Sequence, residues 1–403
     1  MDENANLRRL LAEEQSQRRA GDEHLLAEQA GRKEERAWRE EAERRLLEEQ
    51  RQPEKNRSLT LLPFLEACHH LSLMLQVQTD DSKATTGVVT NPVGRLYPRQ
   101  IIRWQGFQEK QQDIWKQLMD PGFMTQHSFV PRINQDRFKS HLKPISCELD
   151  VRLFERDTVE TEVEQLLAAV ANDQKLQESL GLRGDVFFQS HMNLGNNQRD
   201  LSTKGKAKGV IGAADQFCIH SKPDGTIAAK LAIEFKAPHK LPQNVVEEGL
   251  SSEIRPDTDN INMGSDDPAL ASRALAAAVV TQLFSNMIGI GVQYGYVCTG
   301  QTYIFLHIPD DPSIVYYHVS VPNKDVCDDD EFRLCKTAVA QVFAFVLQSL
   351  VVESPPQSWR DAAEELDVWS VESAGTLSPV SDSVDNGVRL KLKMGTEHQQ
   401  AGG

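Results

Sequence analysis

The stretch ADQFCIHSKPDGTIAAKLAIEFKAPHKL, residues 214 to 241, constrains the fold more than any other part of the chain. Two mostly apolar runs flank the turn signal SKPDGT. An Asp followed by a Gly suits a tight turn, because Gly tolerates positive φ and Asp hydrogen-bonds the turn backbone. The stretch therefore predicts a β-hairpin with Asp224 at its tip.

The segments around this hairpin follow an order typical of an α+β domain. Before it, residues 157–173 carry Val163, Leu167 and Val170 at helical spacing, and GDVFFQSHM is typical of a strand. After it, a polar loop over about 248–268 leads into a long apolar helix over 268–289. Helix, three strands, helix and strand predict an α+β core with one mixed sheet between helices. Two more strands are predicted within 302–308 and 314–321, and a second buried helix within 331–352.

The two ends of the chain differ from this core in composition. Residues 1–57 are rich in Glu and Arg spaced three or four apart, which favours a solvated helix. Leucines and arginines share one heptad phase in this segment, so we expect only weak coiled-coil character. We expect the segment to be an arm for self-association or for a protein partner. Residues 58–150 are predicted to be a helical and extended lead-in packed on the core, 151–370 the core domain, and 371–403 a disordered polar tail.

The composition also excludes several protein classes. The net charge of -15 argues against a protein that coats nucleic acid over its whole surface. The six cysteines show neither C-x-x-C nor zinc-site spacing, and the charged N-terminus does not resemble a secretory signal. No apolar run reaches the roughly 20 residues that span a bilayer. We expect an intracellular protein, cytoplasmic or nuclear, with no membrane contact.

The hairpin contains the letters PD, nine residues and then EFK. Asp224 at the tip would lie about 30 Å from Glu234, too far for a shared metal ion. If Asp224 and Gly225 are the two central residues of the turn, Asp215 lies directly opposite Glu234, about 5 Å away, and Lys236 shares their face. A type I turn with a Gly bulge would shift the pairing by one residue and place Asp215 on the other face. The sequence leaves both registers open.

A facing pair of carboxylates has a specific chemical meaning. They repel each other unless a cation or a proton joins them, and Mg²⁺ or Mn²⁺ with oxygen ligands is the natural cation. Such an ion would activate a water for phosphodiester hydrolysis, and Lys236 would orient that water or neutralise developing charge. The alternative is a structural Glu234–Lys236 ion pair with Asp215 solvated.

This order of elements, with Asp215 on the second strand and EFK on the third, resembles the PD-(D/E)XK, or restriction-endonuclease-like, superfamily. The sequence departs from that pattern by having AAD where PD is usual. The resemblance implies that Asp215, Glu234 and the backbone carbonyl of Phe235 bind the metal and that Lys236 is the catalytic lysine. It also implies a further acid on the first helix, with Glu160 or its rival Glu164 as candidates.

The resemblance bears on the long helix too. Gln282 would face the site, although the Q-x-x-x-Y pattern of some members ends here in Asn286. The motifs LAIEFKAPHKL and TQLFSNMIGIGVQYGYVCTGQTYIFLHI look like those of a filamentous-fungal family of uncharacterised proteins, in which such a domain often precedes a protein-kinase-like domain. The chain contains no Gly-rich loop with a following V-A-x-K, no H-R-D and no D-F-G, so kinase activity is not predicted.

Two functions are consistent with the sequence. The first is a Mg²⁺-dependent nuclease that acts through Asp215, Glu234 and Lys236. The second is a catalytically inactive nuclease-like scaffold that serves as a protein-interaction module. A basic loop before the Asp215 strand favours phosphate binding and so the first function. Its candidate nucleic-acid-binding residues are Arg199, Lys204, Lys206 and Lys208.

Overall fold

A computed structural model describes residues 58–369 except 81, 87–89, 131–142, 191–213, 260 and 262–264, together with Lys33 and Arg36. The helices and strands of the sheet domain belong to one compact unit, Leu59–Val130 with Asn134–Gly403. Three predictions lie outside the described residues: the structure of the charged arm (apart from Lys33 and Arg36), the disordered tail, and the basic loop with Arg199, Lys204, Lys206 and Lys208.

The centre of the fold is a mixed sheet of seven strands in the order β1-β7-β6-β5-β4-β3-β2. β1 runs parallel to β7 and β4 runs parallel to β5, while the other neighbours are antiparallel. The first strand comes from the lead-in and forms one edge of the sheet. The strands are β1 Gln100–Arg103, β2 Asp185–Gln189, β3 Gln216–Ser221, β4 Ile227–Phe235, β5 Tyr294–Cys298, β6 Tyr303–His307 and β7 Ile314–Ser320.

Helices cover both faces of this sheet. In chain order they are α1 Leu61–Ser72, α2 Phe107–Leu118, α3 Pro121–Met124, α4 Glu148–Glu155, α5 Thr161–Ala171, α6 Gln174–Ser179, α7 Gln243–Gly249, α8 Pro268–Ile290, α9 Pro322–Asp325, α10 Ala338–Leu350 and α11 Gln357–Glu364. A π-helical turn, Arg156–Glu160, joins α4 to α5, and a 3-10 turn, Arg333–Lys336, precedes α10.

The alternation of side chains along the strands divides the interior into two hydrophobic cores. One core packs α1, α2, α5 and α10 against one face of the sheet, through residues such as Phe64, Val163 and Phe343. The other packs α7, α8 and α11 against the opposite face, through residues such as Val246 and Phe284. The predicted α+β fold with a mixed sheet between helices is therefore confirmed.

Helix α8 forms most of the second core. The Asp267 side chain accepts a hydrogen bond from Ala269 N at 2.9 Å, Pro268 occupies the first turn, and Gly291 ends the helix with a φ of 79°. Among the described helices, α8 alone is long and apolar enough to cross a membrane. Its most apolar window is 72% buried inside the protein, as is typical of the core helix of a globular domain.

Two predicted helices have different boundaries in the structure. The predicted helix over 331–352 begins only at Ala338, because the preceding residues form a 3-10 turn and Thr337 caps the helix by accepting a hydrogen bond from Ala340 N at 3.3 Å. The helix predicted over 157–173 starts earlier, since α4, the π turn and α5 run together from residue 148 to 171.

Candidate functional site

The turn of the β3–β4 hairpin is the Gly-bulge form. Gly225 N donates to Lys222 O at 3.0 Å, Lys222 N donates to Thr226 O at 2.8 Å, and Gly225 has a φ of 84°. Asp224 belongs to the turn, where its side chain accepts a hydrogen bond from Thr226 N at 2.8 Å. This hydrogen bond holds the pKa of Asp224 below its usual value. Asp224 is therefore a turn residue.

A second irregularity, in the middle of the hairpin, reverses the shift made by this turn. Ile219 pairs with Ala229, but Cys218 pairs with Leu231, so Lys230 is an extra residue on β4. The Lys230 ammonium donates to the backbone oxygen of Val352 at 2.6 Å. Beyond this bulge the register is the one that the two-residue turn would have produced, and the last pair of the ladder is Gln216 with Ile233.

The candidate catalytic residues lie immediately beyond that last pair. Asp215 precedes Gln216 on one strand and Glu234 follows Ile233 on the other, so their side chains are on the same face of the hairpin. The Asp215 carboxylate accepts a hydrogen bond from Phe235 N at 2.9 Å. The Lys236 ammonium lies 2.9 Å from Glu234 Oε1. The structure thus brings Asp215, Glu234 and Lys236 together at one end of the sheet.

Two side chains of α8 complete the surroundings of Glu234. Gln282 and Asn286 lie one helical turn apart, and their amide nitrogens donate to Oε1 and Oε2 of Glu234, the second at 3.3 Å. Gln282 thus faces the site, as the resemblance implied. Asn286 occupies the place of the missing tyrosine and binds the same carboxylate.

Two contacts come from the lead-in, which the sequence alone did not connect with the site. Arg95 donates to Asn286 Oδ1 at 2.8 Å, and the Thr90 hydroxyl donates to Gln282 Oε1. Both residues belong to the run TTGVVTNPVGRLYPRQ, whose composition is typical of a loop. The signal in the sequence is weak, because 191 residues separate Arg95 from Asn286.

Burial dominates the electrostatics of Glu234. Glu234 and Lys236 are each only 3% exposed. Desolvation raises the pKa of Glu234 to about 7, while the Lys236 charge opposes this rise and the Asp215 charge adds to it. Asp215, Gln282 and Arg95 are half-buried, so these are the members of the site that meet solvent.

Glu160 lies on the other face of the sheet. Its Oε2 accepts a hydrogen bond from Gln216 Nε2 at 2.5 Å, and the Gln216 side chain points away from the Asp215 face because neighbouring strand residues alternate. Burial, with help from the charge of Glu155, raises the pKa of Glu160 to about 8. The rival Glu164 accepts a hydrogen bond from Phe188 N at 3.0 Å. The structure therefore brings neither acid to Glu234.

The remaining lone pairs decide whether the site suits a divalent ion. An ionised carboxylate offers about four acceptor positions. Glu234 uses three of them, for Lys236, Gln282 and Asn286, and Asp215 uses one, for Phe235 N. Mg²⁺ commonly binds one or two carboxylates and completes its shell with water and substrate oxygens. Asp215 and Glu234 thus keep acceptor positions that such an ion could use. The described residues contain no group of three or more His, Cys, Asp or Glu that could hold a metal.

Comparison with known proteins relates this region to a fungal protein. Residues 183–363 match the family model described as the Spore killer 2 N-terminal domain. The chain is 28% identical over 350 residues to the meiotic driver SPOK2 of Podospora anserina, covering 74% of this chain and 44% of that protein. The chain thus spans less than half the length of this relative. No solved structure matches the chain. The two matches support a relationship between this chain, including the hairpin and α8, and a family of fungal spore killers.

Proposed function

We propose that Asp215, Glu234 and Lys236 form the site of a divalent-metal-dependent phosphodiesterase of the PD-(D/E)XK kind, a nuclease. One observation carries the proposal. The two carboxylates and the lysine converge at the end of β3 and β4. The Gly-bulge turn alone would give the other register, but the bulge at Lys230 restores the pairing. The order of helix, three strands, helix and strand agrees with that superfamily.

Each residue has a definite part in this proposal. Asp215 and Glu234, with the Phe235 carbonyl, would hold Mg²⁺ or Mn²⁺, which would supply an activated water and a charge that attracts the scissile phosphate. Lys236 keeps Glu234 in place through its ammonium and carries the positive charge closest to it. Gln282 and Asn286 fix the orientation of the Glu234 carboxylate from α8. Arg95 adds a half-buried cation at the entrance.

The similarity to a meiotic driver suggests where such an activity would be used. We propose that the chain takes part in meiotic drive in a fungus and that damage to nucleic acid by this domain contributes to it. The meiotic driver is more than twice as long as the matched region. Activities that depend on the unmatched part of that protein are therefore not proposed for this chain.

A second candidate, an inactive scaffold that binds a protein partner, is favoured by the burial of the site. Glu234 and Lys236 are each 3% exposed and already satisfy each other. In that case the ion pair and its amides only stabilise the end of the sheet. The charged residues 1–57 would then provide the association arm.

Cleavage assays distinguish the two functions. Supercoiled plasmid DNA, single-stranded DNA and RNA are incubated with the full chain in Mg²⁺, in Mn²⁺ and in EDTA. We expect metal-dependent cleavage by the wild type, a loss of at least ~100-fold in Glu234→Gln and Lys236→Met, and no change in the turn variant Asp224→Asn. Equal cleavage by all four proteins would indicate a contaminating nuclease. No cleavage by any of them would favour the scaffold.

Calorimetry tests the metal site independently of any substrate. We expect Mg²⁺ or Mn²⁺ to bind the wild type, and Asp215→Asn to weaken that binding about tenfold or more, because it removes one of the two carboxylates. Binding that is unchanged in Asp215→Asn and in Glu234→Gln would place the ion elsewhere.

A further inference from the structure

A small cavity borders the first core, between α2 and the 3-10 turn before α10. Its volume is about 60 Å³. Its apolar wall consists of Phe107, His318, Phe332 and Cys335. None of these residues belongs to the proposed nuclease site, so the cavity is a separate candidate site.

The glutamine at position 111 distinguishes this cavity from an ordinary packing gap. Gln111 is 5% exposed and lines the cavity, yet neither its Nε2 nor its Oε1 has a hydrogen-bond partner among the described residues. Burying an amide without hydrogen-bond partners is energetically unfavourable. A donor and an acceptor, side by side, therefore line the cavity without protein partners.

Three other polar residues of the cavity already have hydrogen-bond or ion-pair partners. Gln341 Nε2 donates to Ser320 Oγ at 2.6 Å and to Lys336 O at 2.9 Å. Asp325 accepts hydrogen bonds from Ser320 Oγ and from Val321 N, at 2.9 and 2.7 Å. The Lys336 ammonium is paired with an aspartate outside the cavity lining, Asp330, at 2.7 Å. Gln111 differs from these three residues because both of its polar atoms are buried and have no partner among the described residues.

Two side chains of this wall are stacked rings. The Phe107 and His318 rings are stacked with centroids 4.1 Å apart. Burial, together with the charge of Arg103, lowers the pKa of His318 to about 4, so its ring is neutral at pH 7. Stacked neutral rings bind a planar apolar surface more readily than an ion.

The geometry points to a binding site for a small, uncharged, single-ring heterocycle that carries a lactam edge, an N–H beside a C=O. Such an edge pairs with both atoms of the Gln111 amide, donating to Oε1 and accepting from Nε2. The ring lies among Phe107, His318 and Phe332. A volume of about 60 Å³ restricts the ligand to a single small ring and is too little for a nucleotide.

Binding of 2-pyridone to the full chain tests this site, with N-methyl-2-pyridone as the matched probe that cannot donate. Affinities are measured by ligand-observed NMR titration. We expect 2-pyridone to bind about tenfold more tightly than its N-methyl analogue. Gln111→Met, which keeps the side-chain volume and removes both polar atoms, should reduce 2-pyridone binding about tenfold. Gln117→Met, at an exposed position of the same helix outside the cavity lining, should leave it unchanged.

Several outcomes would overturn the proposal. Equal affinity for the two probes, or equal binding by Gln111→Met and wild type, would mean that an apolar gap takes up any ring. No detectable binding by wild type would mean that only water meets Gln111. Should Gln111→Met fail to fold, crystals of the wild type with 2-pyridone still decide the question. The ring must then lie against Phe107 with its lactam edge on Gln111, and any other position contradicts the site.

Discussion

The two faces of the β3–β4 hairpin both bury carboxyl groups, but they provide different partners for them. On the α8 face, Glu234 is bound by the Lys236 ammonium and by the amides of Gln282 and Asn286. On the opposite face, Glu155 accepts hydrogen bonds from Tyr303 at 2.7 Å and from the Cys298 thiol at 3.3 Å, and Glu160 binds Gln216. Neither of these two acids forms an ion pair with any described residue.

The three buried carboxyl groups on the two faces have raised pKa values. Desolvation is the largest cause of the rise in all three carboxyls, to about 7 for Glu234 and Glu155 and about 8 for Glu160. Only Glu234 has a lysine that opposes this rise. All three carboxyls therefore keep their protons to near neutral pH, and the two faces differ in the groups that bind them. The lysine and the two amides on Glu234 are the reason for proposing the metal site on the α8 face.

The largest effect is expected from removing the cation of the α8 face. Lys236→Met leaves the Glu234 carboxylate buried without a counter-charge and should lower the free energy of unfolding at pH 8 by about 3–5 kcal/mol. At pH 5 the loss should be smaller, because Glu234 is then protonated. Urea titrations at both pH values measure this, and adding Glu234→Gln to the variant should restore most of the loss at pH 8. Equal losses at the two pH values would contradict the role of charge.

The opposite face should also contribute to the way stability depends on pH. The folded pKa of Glu160, about 8, is above the ordinary value of 4.5, so its stabilising contribution is complete below pH 4.5 and is lost as the pH rises toward 8. Glu160→Gln should therefore match the wild type near pH 4.5 and exceed it at pH 8 by about 1–3 kcal/mol. Thermal melts across this range test it, with the exposed Glu109→Gln as the control. If stability instead rises from pH 5 to pH 8, and rises by the same amount in the wild type and in Glu160→Gln, the assignment is wrong.

A smaller loss is expected from the amides that orient Glu234. Asn286→Leu removes a donor to Glu234 and an acceptor for Arg95, and should cost about 1–3 kcal/mol of unfolding free energy. The same variant should weaken Mg²⁺ binding less than Asp215→Asn does, since it removes no ligand. Chemical denaturation and calorimetry on the same samples provide both quantities. A loss of metal affinity as large as that of Asp215→Asn would make Asn286 part of the metal site itself.

The smallest effect is expected at the hairpin tip. Gly225→Ala places a Cβ on a residue with a φ of 84° but meets no atom within 4 Å, so the cost should be only the backbone strain, about 1 kcal/mol. Metal affinity and cleavage should not change, because the bulge at Lys230 sets the register of the site independently. A register slip would instead abolish both, and hydrogen exchange of Gln216 and Ile233 would detect it.

The fold was largely predictable because hydrophobic periodicity is a local property. The spacing of Val163, Leu167 and Val170 predicted a helix, and the apolar run over 268–289 predicted the long helix, which ends at Ile290. The sequence predicted a helix start less accurately where a single capping residue determines it. Helix α10 begins at Ala338, after the Thr337 cap and several residues later than the apolar pattern suggested, because the residues before it form a 3-10 turn.

The sequence by itself determined the turn at Asp224 and Gly225, the strand bearing Glu234 and Lys236, and the alternation that places these two side chains on one face. Only the tertiary structure decided that Asp215 joins them, because a second bulge at Lys230 cancels the register shift made by the turn. No local rule predicts this bulge, since its lysine donates a hydrogen bond to the backbone oxygen of Val352, far along the chain. The tertiary structure likewise brought Arg95 and Asn286 together and put Glu160 on the opposite face. Local chemistry specifies turns and faces, but partners that are distant in sequence meet only when the whole sheet and its helices pack.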